Sequence, residues 1–288
     1  MKRVEGAEPL PPEGGSVRTG GAPDAEAGWD LIIPIKRLDS AKSRLAGGDL
    51  VVSDLAGEGG AGVSLAGVDD ALRQRLALSF ATDTCAAALA VPAIRRVLVV
   101  TEDPVVAAQL SQQGAQIVGE TRGPGLNPAI DAGLDALEAT GGLHRVAIMT
   151  GDLPAVSADE IGAALAAATG HRLGVLADAD GTGTVLLTAD GAAAPSGDGA
   201  PPTTGPAEVA VTGHSAAAGQ GTTASATRPV PRFGPGSFER HRHAGHVPLP
   251  GDLPGLRRDV DTPSDLAQAR RLGLGAVSRR TAETLVES

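Results

Sequence analysis

Short runs of branched apolar residues recur along this chain, most of them followed by a stretch of helical spacing. DLIIPIK (Asp30 to Lys36), IRRVLVVT (Ile94 to Thr101), RVAIMT (Arg145 to Thr150), Leu173 to Ala177 and Thr184 to Thr188 read as buried strands. Ala115 to Val118 and Leu256 to Val260 read as shorter ones. Between them, Leu72, Leu76, Phe80 and Ala87 keep helical spacing across 69–90, and Asn127 to Thr140 is helical up to Gly141-Gly142. Asp103-Pro104 opens a helix as N-cap and first turn, and Ser157 with Glu160 forms a capping-box pattern. A last helix is expected from Ser264 to Leu272. Strands that are apolar along their whole length belong inside a sheet covered on both faces. The expected fold is therefore α/β: a doubly wound, mostly parallel sheet with helices on both sides. In such sheets ligands bind beyond the carboxyl ends of the strands.

Composition narrows the function. A formal net charge of −10 argues against general nucleic-acid binding. One Trp, three Phe and no Tyr leave few platforms for stacking bases. Cys85 is the one cysteine, which excludes an internal disulfide and a cysteine metal cage; its helical setting marks it as a core residue. No apolar run approaches membrane-spanning length, and residues 1–28 have no secretory-signal core, so a cytoplasmic location is expected. Pro-, Gly- and Ala-rich composition marks 1–28 as a disordered tail and about 46–67 and 190–229 as flexible insertions. A single domain is expected over 29–275, with 276–288 as a C-terminal tail.

The residues after each strand carry the chemistry. Lys36, Arg37, Lys42 and Arg44 crowd the first loop, where they can neutralise a triphosphate or form a solvated basic face. No GxxxxGK[ST] pattern is present, so this is not a Walker-type loop. Asp152 follows RVAIMT and can hold Mg²⁺ or cap a turn. Asp259 and Asp261, two apart in RRDVDTPSDL, project to one face if extended and then invite a cation; Asp261 or Thr262 can instead cap the last helix. GPGLNPAI sets Gly123, Gly125 and Asn127 at a helix start, where the amide reads a base or ribose edge or caps the helix. Thr182 and Thr184 edge a strand, while Gly234, Gly236 and Ser237 precede a short helix and form an anion site or an ordinary turn. His241, His243 and His246 alternate with arginines without an acid among them, which suits a surface or substrate-facing basic patch better than zinc.

Taken in order, IPIKRLDSAKSRLA, LVVTED, GLNPAI, MTGDLPAVS, DADGTGTVLL, FGPGSFERH and RDVDTPSDL resemble the phosphoenolpyruvate or 2-phospho-L-lactate guanylyltransferases of coenzyme F-420 biosynthesis. Their fold resembles that of the molybdenum-cofactor guanylyltransferases among the nucleotide-diphospho-sugar transferase-like enzymes. The resemblance implies GTP and phosphoenolpyruvate as substrates, with Thr184, Gly234 and Ser237 on phosphoenolpyruvate. It implies Mg²⁺ on Asp259 and Asp261, with Asp152 a further metal or nucleotide residue. Lys36, Arg37, Lys42 and Arg44 become the catalytic cations, and Gly125, Asn127 and Asp152 the nucleotide contacts. The FGPGS form resembles the type whose acceptor is phosphoenolpyruvate. Transfer to 2-phospho-L-lactate, a molybdopterin or a sugar phosphate remains an alternative, as does a nucleotide-binding module without chemistry. The partners expected are small molecules rather than nucleic acid or membrane, with a homo-oligomer left open.

Overall fold

A computed structural model describes residues 28–42, 45, 70–191 and 228–284. The tail expected at 1–28 and most of the insertions expected at 46–67 and 190–229 lie outside the described residues.

Seven strands form one sheet: β1 (Trp29–Pro34), β2 (Ile94–Val100), β3 (Gln116–Val118), β4 (Arg145–Met149), β5 (Leu173–Ala177), β6 (Thr184–Asp190) and β7 (Val247–Pro248). Their order is β3-β2-β1-β4-β6-β5-β7. β6 runs antiparallel to β4 and β5; the other pairings are parallel. The helices are α1 (Asp70–Leu89), α2 (Pro104–Gln113), α3 (Leu126–Ala139), α4 (Ala158–Ala168), α5 (Ser237–His243), α6 (Pro254–Arg257), α7 (Pro263–Leu272) and α8 (Ala276–Glu283). The chain is thus the expected α/β fold. Among the described residues no helix is long and apolar enough to cross a membrane.

Alternation along β1 explains the two layers. Leu31 and Ile33 face one side, packing with Ala77, Ala81 and Cys85 of α1, Val106 and Leu110 of α2, and Ile161 and Leu165 of α4. Ile32 faces the other side, with Ile130, Leu134 and Leu137 of α3. Small residues let helices approach in place of aromatic bulk. A Cβ on Gly133 of α3 would stand 2.8 Å from Ile32 Cγ2, so glycine sets that helix-to-sheet distance. Cys85 is fully buried, and burial pushes its thiol up to about 11.

Local capping signals hold. Asp103 accepts from the amides of Val105 and Val106, with Pro104 in the first turn, and Ser157 and Glu160 close a capping box on α4. Two expectations change. Leu256 to Val260 is not a strand: Pro254 opens α6, which runs to Arg257 with Glu160 Oε1 taking the Gly255 amide at 2.7 Å, and 258–260 follow without regular structure. The segment set aside as a tail at 276–288 contains α8, whose buried Ser278 and Ala282 dock it on the core. Asp83 of α1 accepts from Val277 N (3.1 Å) and Ser278 N (2.6 Å), satisfying open N–H groups of α8. A third apolar cluster joins Leu76 and Phe80 to Val260, Leu266, Leu274 and Ala282.

Candidate active site

Three segments meet beyond the carboxyl ends of β1 and β4. The first runs from Lys36 through a single 3-10 turn, Leu38–Ser40, to Lys42. Its shape is held from outside. Asp103, besides capping α2, accepts the Leu38 amide at 3.0 Å. Buried Arg73 of α1 donates to the carbonyls of Ala41 and Asp39 and pairs with Asp70 at 2.7 Å. The loop ends with Lys42 in the left-handed region, at φ 57. For a lysine this conformation is strained, so it is set by tertiary contacts and not by local preference.

The second segment is Thr150-Gly151-Asp152. A Cβ on Gly151 would lie 2.9 Å from Ile35 Cγ1, so only glycine lets this turn pass under the first loop. The third is Asp259-Val260-Asp261. Val260 is buried in the third apolar cluster, and its amide donates to the Asp152 carbonyl at 3.1 Å. That bond brings Asp152 to the Asp-Val-Asp stretch. Thr262, with Asp265, forms the capping box of α7. Asp261 is therefore not the cap.

The Lys42 ammonium joins the carboxylates. It donates to Asp152 Oδ2 and to Asp261 Oδ1, the latter at 2.9 Å. Burial opposes its charge, but Asp152 and Asp261 outweigh burial and raise the Lys42 pKa above the ordinary lysine value. Asp259 is pushed up to about 7, first by burial and then by Asp152 and Asp261, with Lys42 pulling the other way. Asp152 Oδ1 is buried with no hydrogen-bond partner. Of the carboxylates expected to bind metal, Asp152 and Asp261 share the Lys42 ammonium, and Asp259 lies close enough to feel both charges. Among the described residues, no three acids, histidines or cysteines are already gathered around one point as a metal cage. The donor set nonetheless suits a hard divalent cation, since all its donors are oxygens and one buried oxygen lacks a partner.

The expected cations divide. Lys42 belongs to the carboxylates, whereas Lys36 and Arg37 line a cavity of about 490 Å³ with Ser40, Glu102, Glu120 and Gly125. Glu102 Oε1 accepts the Glu120 amide at 2.6 Å. Burial first, and then the Glu102 charge, raise the Glu120 pKa. Arg44 lies outside the described residues.

Elsewhere, β6 is tied to the loop before α5 and to α5 itself, with Thr184 and Ser237 both buried. Phe238 N donates to Thr182 O at 3.1 Å, and Thr184 Oγ1 lies 2.9 Å from His241 Nδ1. The DADGTGT turn needs Gly183: Asp178 accepts the amides of Thr182 and Gly183, and a Cβ there would stand 2.2 Å from its Oδ2. Gly234 and Gly236 hold φ of 123 and 68. Arg240 fastens the loop by donating to the Arg232 carbonyl at 2.9 Å.

Two readings from sequence are corrected. Asn127 does not cap α3, whose N-cap is Gly125. Its amide oxygen accepts from Phe233 N at 2.8 Å and its amide nitrogen donates to Phe233 O at 3.2 Å, so the side chain is occupied in holding the FGPGS loop. The histidines do not form one surface patch: His241 and His246 are buried, with Phe233 edge-on to His241 and His241 edge-on to His246, whereas His243 is exposed beside Glu239. The braces Arg73 and Asp103 were missed as site residues. Asp103 had announced only its helix cap.

The chain is similar to proteins already known. The family model for a MobA-like NTP transferase domain matches residues 79–201. The phosphoenolpyruvate guanylyltransferase of Geodermatophilus obscurus is 40% identical over 247 residues, covering 86% of this chain and 90% of that protein. That of Salinispora arenicola is 39% identical over 251 residues, covering 86% and 90%. Among solved structures, a nucleotidyl transferase from Methanothermobacter is 16% identical with a TM-score of 0.40, covering 85% of this chain and 96% of that one.

Proposed function

The chain belongs to the phosphoenolpyruvate guanylyltransferase family, and from that premise we propose that it transfers the guanylyl group of GTP to phosphoenolpyruvate. A phosphate oxygen of phosphoenolpyruvate attacks the α-phosphorus. The bond from that phosphorus to the leaving pyrophosphate breaks, and enolpyruvoyl-2-diphospho-5'-guanosine forms. The acceptor phosphate is already ionised near neutral pH, since comparable phosphates have a second pKa of about 6. No general base is needed. The task is to hold two polyanions together, which makes positioning and charge neutralisation the main contributions.

The observation that carries this reading is the meeting of Asp152, Asp259 and Asp261 with Lys42 beyond the carboxyl ends of β1 and β4. Asp152, Asp259 and Asp261 would hold Mg²⁺, which neutralises phosphate oxygens when bound. Lys36 and Arg37, at the cavity rim, offset charge on the triphosphate, and Lys42 holds the carboxylates in place. The cavity takes the guanosine: Glu102 and Glu120 offer acceptors to the N–H edge of guanine, and Gly125 leaves room for close approach. Thr184, Gly234 and Ser237 receive the acceptor. The product suits a step in coenzyme F-420 biosynthesis, and a cytoplasmic setting fits these soluble substrates.

Pyrophosphate release tests the reading. The protein is incubated with Mg²⁺, each of GTP and ATP, and each of phosphoenolpyruvate and 2-phospho-L-lactate. Release is expected with GTP and phosphoenolpyruvate and to be lost on chelation. Release only with 2-phospho-L-lactate, or none with any pair, would overturn it.

A further inference from the structure

Hydrogen bonds fix the protonation of a buried histidine beside the acceptor site. His241 of α5 is fully buried. Its Nε2 lies 3.0 Å from the Arg232 amide nitrogen. A backbone N–H can only donate, so Nε2 accepts and carries no proton. The neutral ring then has its hydrogen on Nδ1, 2.9 Å from Thr184 Oγ1. The Nδ1–H group therefore donates to the threonine oxygen. Burial above all, with His246, Arg240 and Arg232, depresses the His241 pKa to about 4, which keeps the ring neutral. The ring is clamped edge-on by Phe233 at 5.3 Å and by His246 at 5.4 Å.

We propose that His241 is a positioning residue that fixes the Thr184 hydroxyl as a hydrogen-bond donor to the ionised acceptor. A threonine hydroxyl has one hydrogen and two lone pairs. With the imidazole N–H on one lone pair, the hydroxyl hydrogen turns away from His241. An ionised phosphate or carboxylate only accepts, so a hydroxyl whose hydrogen is already turned from the ring binds it without first reorienting. The same ring holds the Arg232 amide two residues before Gly234, so strand β6 and the FGPGS loop are joined through one side chain. This proposal rests on the placement of the acceptor at Thr184, Gly234 and Ser237.

Two substitutions separate the ring's contacts. His241→Asn offers an amide N–H where Nδ1–H stands. His241→Gln offers an acceptor to Arg232 but no donor to Thr184. In His241→Gln the KM for phosphoenolpyruvate should rise about tenfold, the scale of one lost hydrogen bond to a charged system, with the KM for GTP unchanged. His241→Asn should stay near the parent protein. Thr184→Val combined with His241→Gln should be no worse than Thr184→Val alone, because the histidine acts through the hydroxyl. Additive losses, or equal shifts in both KM values, would overturn the role of His241. An unchanged phosphoenolpyruvate KM in Thr184→Val alone would instead remove the acceptor-site reading. If His241→Gln does not fold, a loss in His241→Asn as large as that in Thr184→Val would also overturn the proposal.

Discussion

Lys42 is the side chain where stability and the proposed chemistry meet. It is a buried ammonium on a strained backbone, placed between Asp152 and Asp261. A buried charge is tolerated only with partners, and removing one partner leaves the others uncompensated. Lys42→Met should therefore destabilise the protein by roughly 1–3 kcal/mol in the presence of a chelator, less than a fully buried pair because Asp261 is half exposed. Added Mg²⁺ should recover most of that loss. Transfer should fall on the order of 100-fold, because the carboxylates proposed to hold Mg²⁺ lose the group that positions them. Urea denaturation with and without Mg²⁺, beside pyrophosphate release, checks all three. Unchanged stability in chelator would mean that the carboxylates do not depend on the ammonium. At this scale the sequence was partly legible. Asp152 could be placed beyond the end of a strand, whereas the extended geometry expected for Asp259 and Asp261 did not form as a strand. The duties of His241 and Asn127 could not be read, since each depends on contacts 57 and 106 residues away.

Elements were legible where their signals are local. The Asp103-Pro104 start and the Ser157–Glu160 box need only neighbours in the chain, and both formed. Sequence spacing was silent about α8, because its first turn is satisfied by Asp83, which lies in α1 nearly two hundred residues earlier. The alternation that would mark an apolar stripe is weak there: Ser278 and Ala282 are its buried residues. α6 escaped for a similar reason, since its Gly255 amide is taken by Glu160 of α4. Asp83→Ala should therefore cost about 1–2 kcal/mol, as for loss of a helix cap, while kcat changes little. Gly275→Ala should act alike, because its Cβ would meet Asp83 Cγ at 2.3 Å. Thermal unfolding with parallel kinetics checks both. A large loss of kcat in Asp83→Ala at full stability would show that α8 shapes the site and not merely the core.

Across the molecule, Asp259 is the carboxylate whose charge opposes folding, because Lys42 pairs with Asp152 and Asp261 and burial weighs on Asp259. Asp259 titrates near 7 in the fold and near 3.8 in an open chain. The folded state thus holds its proton more tightly, so the stabilising contribution is complete below about 4 and is lost as pH rises through about 7. His241 runs the other way: its pKa falls from 6.5 to about 4, so its contribution is present above 6.5 and lost as pH falls. Burial lowers the His246 pKa as well, so below 6.5 both histidines work against the Asp259 slope; well above 6.5 that of Asp259 remains. In chelator, stability should therefore decline by roughly 0.4 kcal/mol between pH 6.5 and 8. Asp259→Asn should abolish that decline and raise stability at pH 8 by about 2 kcal/mol. The same substitution should remove most Mg²⁺-dependent transfer, since an amide is a weaker ligand for the ion. Added Mg²⁺ should stabilise the parent protein more at pH 8 than at 6.5, because the ion requires the ionised carboxylate. Denaturation curves at both pH values, with chelator and with Mg²⁺, provide the check. A decline that persists in Asp259→Asn would place the titrating group elsewhere. A variant at once more stable and inactive would mean that the fold gives up stability to keep three acids where the substrates' charges must be met.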